Sequence, residues 1–237
     1  MRALLSAFLI FAAACASAGD PWSATDIQLL HGDGYKFGSS QRTTVTIEHA
    51  QGKDGDDIYM FVDLIDRDDI GSEVYGEIYG QKSLWQPKNG PLGNVSLSLG
   101  LNADSEPDND PYVAYLAGIS LDFKIPGFSF FQLDVHAFKE DGLDSFGWQF
   151  TPVWDVPFRL GRLGFRFRGF ADILTADTNR NHQWNVITQP QLLLDVGQMF
   201  DHANHFYAGV EYQYWHNKFG VRGMDERLPN VMLMYAF

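Results

Sequence analysis

The chain has a single cysteine in 237 residues, and that residue, Cys15, lies in a leading stretch that reads as an export signal. Arg2 supplies a positive start, Ala3 to Ala14 a short apolar core, and Ala16-Ser17-Ala18 a small-residue cleavage site. Residues 1–18 are therefore expected to be removed. A mature chain of residues 19–237 then has no cysteine, which excludes both disulfides and thiolate metal sites. Long apolar runs are missing too. The leading one is about a dozen residues, against the roughly 20 that a membrane helix needs, and nothing after it is long enough. Basic residues are scarce: 17 Lys and Arg stand against 30 Asp and Glu, a formal charge of −13. Such a surface is a poor partner for nucleic acid polymers and suits cations or neutral, hydrogen-bonding solutes better. Fixed-period repeats, low-complexity tracts and domain linkers are also lacking, so residues 19–237 are expected to form one domain.

What the chain does have is aromatics, 15% of its residues, and alternation. The last seven residues, Val231-Met232-Leu233-Met234-Tyr235-Ala236-Phe237, place Val231, Leu233, Tyr235 and Phe237 on one face at a period of two. An apolar strand ending on an aromatic would be an unprotected edge in an open sheet; in a closed barrel it pairs with the first strand. Similar segments recur along the chain. Asn94 to Leu101 sets Val95, Leu97, Leu99 and Leu101 against Asn94, Ser96, Ser98 and Gly100. Asp57 to Ile65 sets Ile58, Met60, Val62 and Leu64 against Asp57, Tyr59, Phe61 and Asp63. Arg159 to Leu174 sets Phe165 and Phe167 against Arg166 and Arg168, after a turn at Val156-Pro157. The count is about twelve segments, an even number as single-chain bacterial barrels require. The fold class expected is all-β, a closed antiparallel transmembrane β-barrel of about 12 strands, in the outer membrane of a Gram-negative bacterium and monomeric. The short connections around Pro126, Pro157 and His202 would share the end that holds both termini, and the longer, polar ones would lie at the other.

Lipid does not tolerate unpaired polar groups, so the polar-bearing face of each strand should point inward. That places Glu48, Tyr59, Phe61, Asp63, Tyr75, Glu77 and Tyr79 on the inner wall of three consecutive strands, with Arg166 and Arg168 across the barrel, able to pair with these acids. Aromatic faces beside carboxylates suit a flat heterocycle attached to a sugar: the ring packs on the aromatics and the carboxylates accept from hydroxyls. The same residues could instead serve only to neutralise one another and stiffen the barrel. Trp22, Trp85, Tyr235 and Phe237, at strand ends, suit the membrane interfaces.

Catalysis would require a nucleophile beside an oriented base. Ser145 with His136, or Asp134 and His136 acting on a water, are the candidates. Gly-x-Ser-x-Gly and His-Glu-x-x-His are both absent, and Asp134 and His136 at i, i+2 are what an inward strand face routinely carries. No enzyme, no metal and no cofactor is expected. The acidic stretch Asp104 to Asp110 lacks the full ligand order of a calcium loop and reads as a solvated external loop.

Several short patterns in order carry a resemblance: Trp22, Asp26-Ile27-Gln28-Leu29-Leu30-His31-Gly32, Thr44-Val45-Thr46-Ile47-Glu48-His49, Phe61-Val62-Asp63-Leu64, Tyr75-Gly76-Glu77-Ile78-Tyr79 and Ser83-Leu84. Residues 22–84 resemble the Tsx-type nucleoside-specific channel family of outer-membrane proteins. Over the remainder the likeness is one of strand pattern, ending at Tyr235-Ala236-Phe237. The resemblance implies a narrow twelve-stranded barrel that passes nucleosides and deoxynucleosides by diffusion with no cofactor. The alternatives are a barrel of the same shape with another solute, a surface receptor or structural role, and a barrel hydrolase.

Overall fold

A computed structural model describes residues 21–67, 71–106 and 111–237; the expected export signal lies outside them. The chain runs through β1 (Trp22–Asp33), β2 (Gln41–Lys53), β3 (Asp56–Arg67), β4 (Gly71–Trp85), β5 (Leu92–Ser105), β6 (Val113–Phe123) and β7 (Phe130–Glu140). It continues through β8 (Gly147–Leu160), β9 (Leu163–Leu174), β10 (Asn185–Thr188), β11 (Gln191–Asp195), β12 (Phe206–His216) and β13 (Glu226–Ala236). Each strand pairs antiparallel with its neighbours. β10 and β11 both lie between β9 and β12, so they are two halves of one stave and the barrel has twelve. The last strand closes on the first, in register from Asp26↔Ala236 to Gly32↔Asn230, which leaves no free edge in the sheet.

Alternation decides the faces. On β13 Glu226, Leu228, Asn230, Met232 and Met234 are buried, while Val231, Leu233 and Tyr235, and Phe237 just beyond the strand, are exposed. On β5 Asn94, Ser96 and Ser98 turn in, and Leu97 and Leu99 turn out with 45% and 56% exposure. The barrel is thus wrapped in an apolar outer face, and its inner face is mostly polar. Inward apolar groups gather in two clusters: Leu30, Leu193, Tyr207, Met232 and Met234 on one side, and Tyr79, Ala114, Leu116 and Phe138 on the other. The inward face of β13 departs from the expected pattern, since three of its members are Leu or Met. Packing against other side chains inside a narrow barrel satisfies them as lipid would.

One local expectation needs correction, and two further local features are set by Pro and Gly. Val156-Pro157 does not turn the chain: Pro157 lies in β8 opposite Arg166, and the turn is Gly161-Arg162. Proline's fixed φ near −65° fits an extended strand, whereas the tight turn needs the positive φ of 62° that Gly161 adopts. The stave from Asn185 to Asp195 is interrupted at Gln189-Pro190, where proline has no N–H for the ladder. The connection after β2 shrinks to Asp54-Gly55, with φ of 55° and 87°, the two positive values of a type I′ hairpin. The connections alternate between the two barrel ends. The end with both termini holds mostly short ones, with residues 196–205 the exception; the opposite end holds residues 34–40, 141–146, 175–184 and 217–225.

Candidate functional site

All nine residues singled out in the sequence for the inner wall project inward. Register explains why: Glu48, Phe61, Glu77 and Asn102 are successive cross-strand partners, and partners share a face. The flanking rows Thr46, Asp63 and Tyr75, and Tyr59 with Tyr79, follow the same parity.

These residues divide into two groups. In the first, Arg168 of β9 reaches across the barrel to β1 and β2: Nη1 donates to Asp26 Oδ2 at 3.1 Å and Nη2 to Glu48 Oε2 at 2.5 Å. Gln28 Nε2 donates to Asp26 Oδ1 at 2.8 Å, Gln191 Nε2 donates to Gln28 Oε1 at 3.1 Å and to Glu211 Oε2 at 2.9 Å, and Asn230 Nδ2 donates to Glu211 Oε1 at 3.1 Å. A guanidinium, three carboxylates and three amides form one charge-assisted network spanning the interior. Arg166 behaves differently from the expectation that both arginines pair across the barrel. It grips Asp155 on the adjacent β8, with Nε to Oδ1 at 3.1 Å and Nη2 to Oδ2 at 2.7 Å. Strand neighbours come within reach with little side-chain extension, so the local partner wins.

The second group is the aromatic wall of β3 and β4. Glu77 accepts from the hydroxyl of Tyr75 on one oxygen, and its other oxygen lies 2.9 Å from the Tyr79 hydroxyl, which also stands 3.1 Å from Asn102 Oδ1. Phe61 lies 6.2 Å from Tyr59 and 5.9 Å from Tyr75, centroid to centroid. Asp63 accepts from Thr46 Oγ1 at 2.5 Å. Tyr79 lies flat because of Gly100: a Cβ there would sit 2.5 Å from its ring. His136 of β7 stacks on Tyr79 at 5.7 Å and 29°.

Sequence reading missed several members. Asp26 was visible only as the polar parity of β1, and its role as partner of Arg168 depends on barrel closure. Asp172, held by Thr151 Oγ1 at 2.5 Å and Gln149 Nε2 at 3.0 Å, faces the Glu77 side. His136 was considered for catalysis, but its site is otherwise arranged. Its Nε2 lies 2.8 Å from Ser98 Oγ, and its Nδ1, where a triad's orienting carboxylate would bind, is buried without a partner. Asp134 bonds Ser120 and Gln132, and Ser145 Oγ donates to the Asp177 carbonyl. The three hydrolytic candidates do not come together.

The electrostatics of the wall are lopsided. Asp26, Glu48, Asp63, Glu77, Asp134, Asp155, Asp172, Asp195 and Glu211 face inward, and among the described residues the inward cations are fewer: Arg166 and Arg168 among these acids, with Arg42, Arg67 and Lys218 nearer the end opposite the termini. Among the described residues no three His, Asp or Glu side chains gather in a metal-binding group.

No protein-family model and no curated protein matches the chain. Solved structures do. The KdgM porin in complex with disordered oligogalacturonate is similar with a TM-score of 0.52 and 11% identity, over 90% of this chain and 99% of that one. The NanC porin is similar with a TM-score of 0.53 and 10% identity, over 89% and 98%. At such identities the likeness is one of fold: this chain has the closed twelve-stranded barrel of those porins.

Proposed function

We propose that the protein is a monomeric channel in the outer membrane of a Gram-negative bacterium, exported by residues 1–18, through which small neutral or cationic solutes diffuse, nucleosides foremost. The observation that carries this reading is the inner wall: Tyr59, Phe61 and Tyr75 line it beside Glu77, with Tyr79 packed behind under His136, within an acid-rich interior wrapped in an apolar exterior. A flat base can pack on the rings while the carboxylates accept from sugar hydroxyls. The porin fold and the Tsx-type resemblance of residues 22–84 support it. The acidic wall also separates this chain from the KdgM porin, whose complex holds oligogalacturonate, because a polyanion would meet carboxylates here. Both termini then face the periplasm, and the Arg168 bridge to Asp26 and Glu48 is the constriction.

Liposome swelling tests the proposal. Adenosine or thymidine entering faster than sugars of equal size supports it, and equal rates for all small solutes remove the selectivity. Tyr75→Ala with Tyr79→Ala should abolish saturation of nucleoside flux; unchanged saturation reduces the aromatic wall to packing. The bridge across the interior favours one second reading, a receptor or structural barrel. Absence of flux even in Arg168→Met would select it.

A further inference from the structure

At the end opposite the termini, the loop of residues 217–225 turns a lysine inward. Lys218 Nζ lies 2.7 Å from Glu226 Oε1 on the inner face of β13, and the side chains of the pair are 1% and 0% exposed. Aromatic rings surround the ammonium: Trp215 at 4.6 Å, Phe219 at 5.4 Å, and Tyr35 and Phe37 at 6.0 Å each. Four ring faces and one carboxylate make a site built to hold an ammonium ion. The rings come from two separate loops and from Trp215 near the end of β12. Tyr35 and Phe37 belong to residues 34–40, whose Tyr35 hydroxyl donates to Asn230 Oδ1 at 2.8 Å and whose Lys36 N–H donates to Glu226 Oε2 at 2.7 Å. A third loop, residues 175–184, is tied in: Asn181 Nδ2 donates to the Phe219 carbonyl at 3.2 Å, and Asn217 Nδ2 to the Trp184 carbonyl at 3.0 Å. Three loops therefore meet over one ammonium. Leu228 and Asn230 beneath them face the interior yet are 1% and 2% exposed.

We propose that this cage is an ammonium-binding site occupied in cis by Lys218, and that it latches residues 217–225 as a lid over the outer mouth. Vacated, the site takes a primary alkylammonium ion. The loop has other ties, among them the His216–Asp225 pair at 2.8 Å and the bonds of Asn217, but only the cage buries a charge that the loop turns inward. The consequence for flux rests on the channel reading; the latch itself does not.

The experiment uses full-length protein folded in vesicles, with Cys15→Ser and a spin label at Arg222→Cys in the lid. The label should be immobile in this parent. Lys218→Ala should shorten its correlation time several-fold, and millimolar propylammonium, which replaces the deleted atoms, should restore it. 1-Propanol, of similar size and uncharged, should not. Should Lys218→Ala fail to fold, Lys218→Met keeps the cage filled without charge; its label should be looser than in the parent and indifferent to propylammonium. A label as immobile in the folded variant as in the parent overturns the latch, and so does equal restoration by propanol. Flux read on the same vesicles separates the two proposals: a label that loosens while no variant conducts sinks the channel and leaves the latch standing.

Discussion

At the residue scale the protein is organised by which carboxylate each arginine reaches. Arg168 has two, on strands that are not its neighbours, and its side chain is 13% exposed, so losing it leaves Asp26 and Glu48 facing each other. Arg168→Met should destabilise the barrel by about 3 kcal/mol, the scale for breaking a partly buried pair by removing one partner. Glu48→Gln made in the Arg168→Met background should cost much less than in the parent, read as urea midpoints in a double-mutant cycle. An additive cycle would mean that the contact is incidental. How much of this was legible in the sequence differs by residue. Alternation placed Arg168 and Glu48 on inward faces because parity is local. It gave no distance between strands far apart in sequence, so it could not distinguish Arg168, which crosses, from Arg166, which binds Asp155 next door.

At the element scale, strands read well and their ends read poorly. Leu99 on β5 is 56% exposed and opposite Ala117 and Gly80, neighbours that offer no cover. Leu99→Arg should lower stability in lipid by about 2–4 kcal/mol if it lies near the midplane, whereas arginine at exposed Leu160, beside the Gly161-Arg162 turn, should lower it by about 1 kcal/mol or less. Equal effects would place the apolar band elsewhere. The turns were harder because a turn is set by one or two φ values; Pro157 carries the stronger signal, yet Gly161 has the freedom the turn uses.

Protonation sets the conditions for the lid test. Burial pulls the Lys218 ammonium from its ordinary 10.5 down to about 8; Glu226 and Glu73 oppose that fall and Arg42 adds to it. The neighbouring Tyr35 hydroxyl is pushed up to about 12, mainly by burial, and remains a donor throughout this range. Below about pH 8 Lys218 carries its charge with the loop closed or open, so the rescue by propylammonium is to be read there, where the caged group and its replacement are both cations.

For the whole molecule, two properties follow from closure and charge. Removing residues 231–237 strips all but one of the residue pairs that close β1 on β13 and half of those between β12 and β13, exposing two edges at once. That truncated chain should fail to fold into vesicles, read as loss of the heat-modified mobility of a folded barrel. On the proposed channel reading, the acid-rich interior should also favour cations. A potassium chloride gradient should give a reversal potential of cation-selective sign, larger in Arg168→Met and smaller in Glu77→Gln.

The sequence by itself determined the class of fold, which face of each strand turns inward, and the sign of the interior's charge. All three follow from composition and a period of two, which survive without knowing where any strand sits. Only the tertiary structure decided which inward groups meet. Closure brings Asp26 and Glu48 to Arg168, 142 and 120 residues away. Loop packing brings Tyr35 and Phe37 over Lys218, and side-chain packing makes apolar the face of β13 that turns inward. Contacts at that range depend on register and curvature summed over many strands, and no local pattern encodes such a sum.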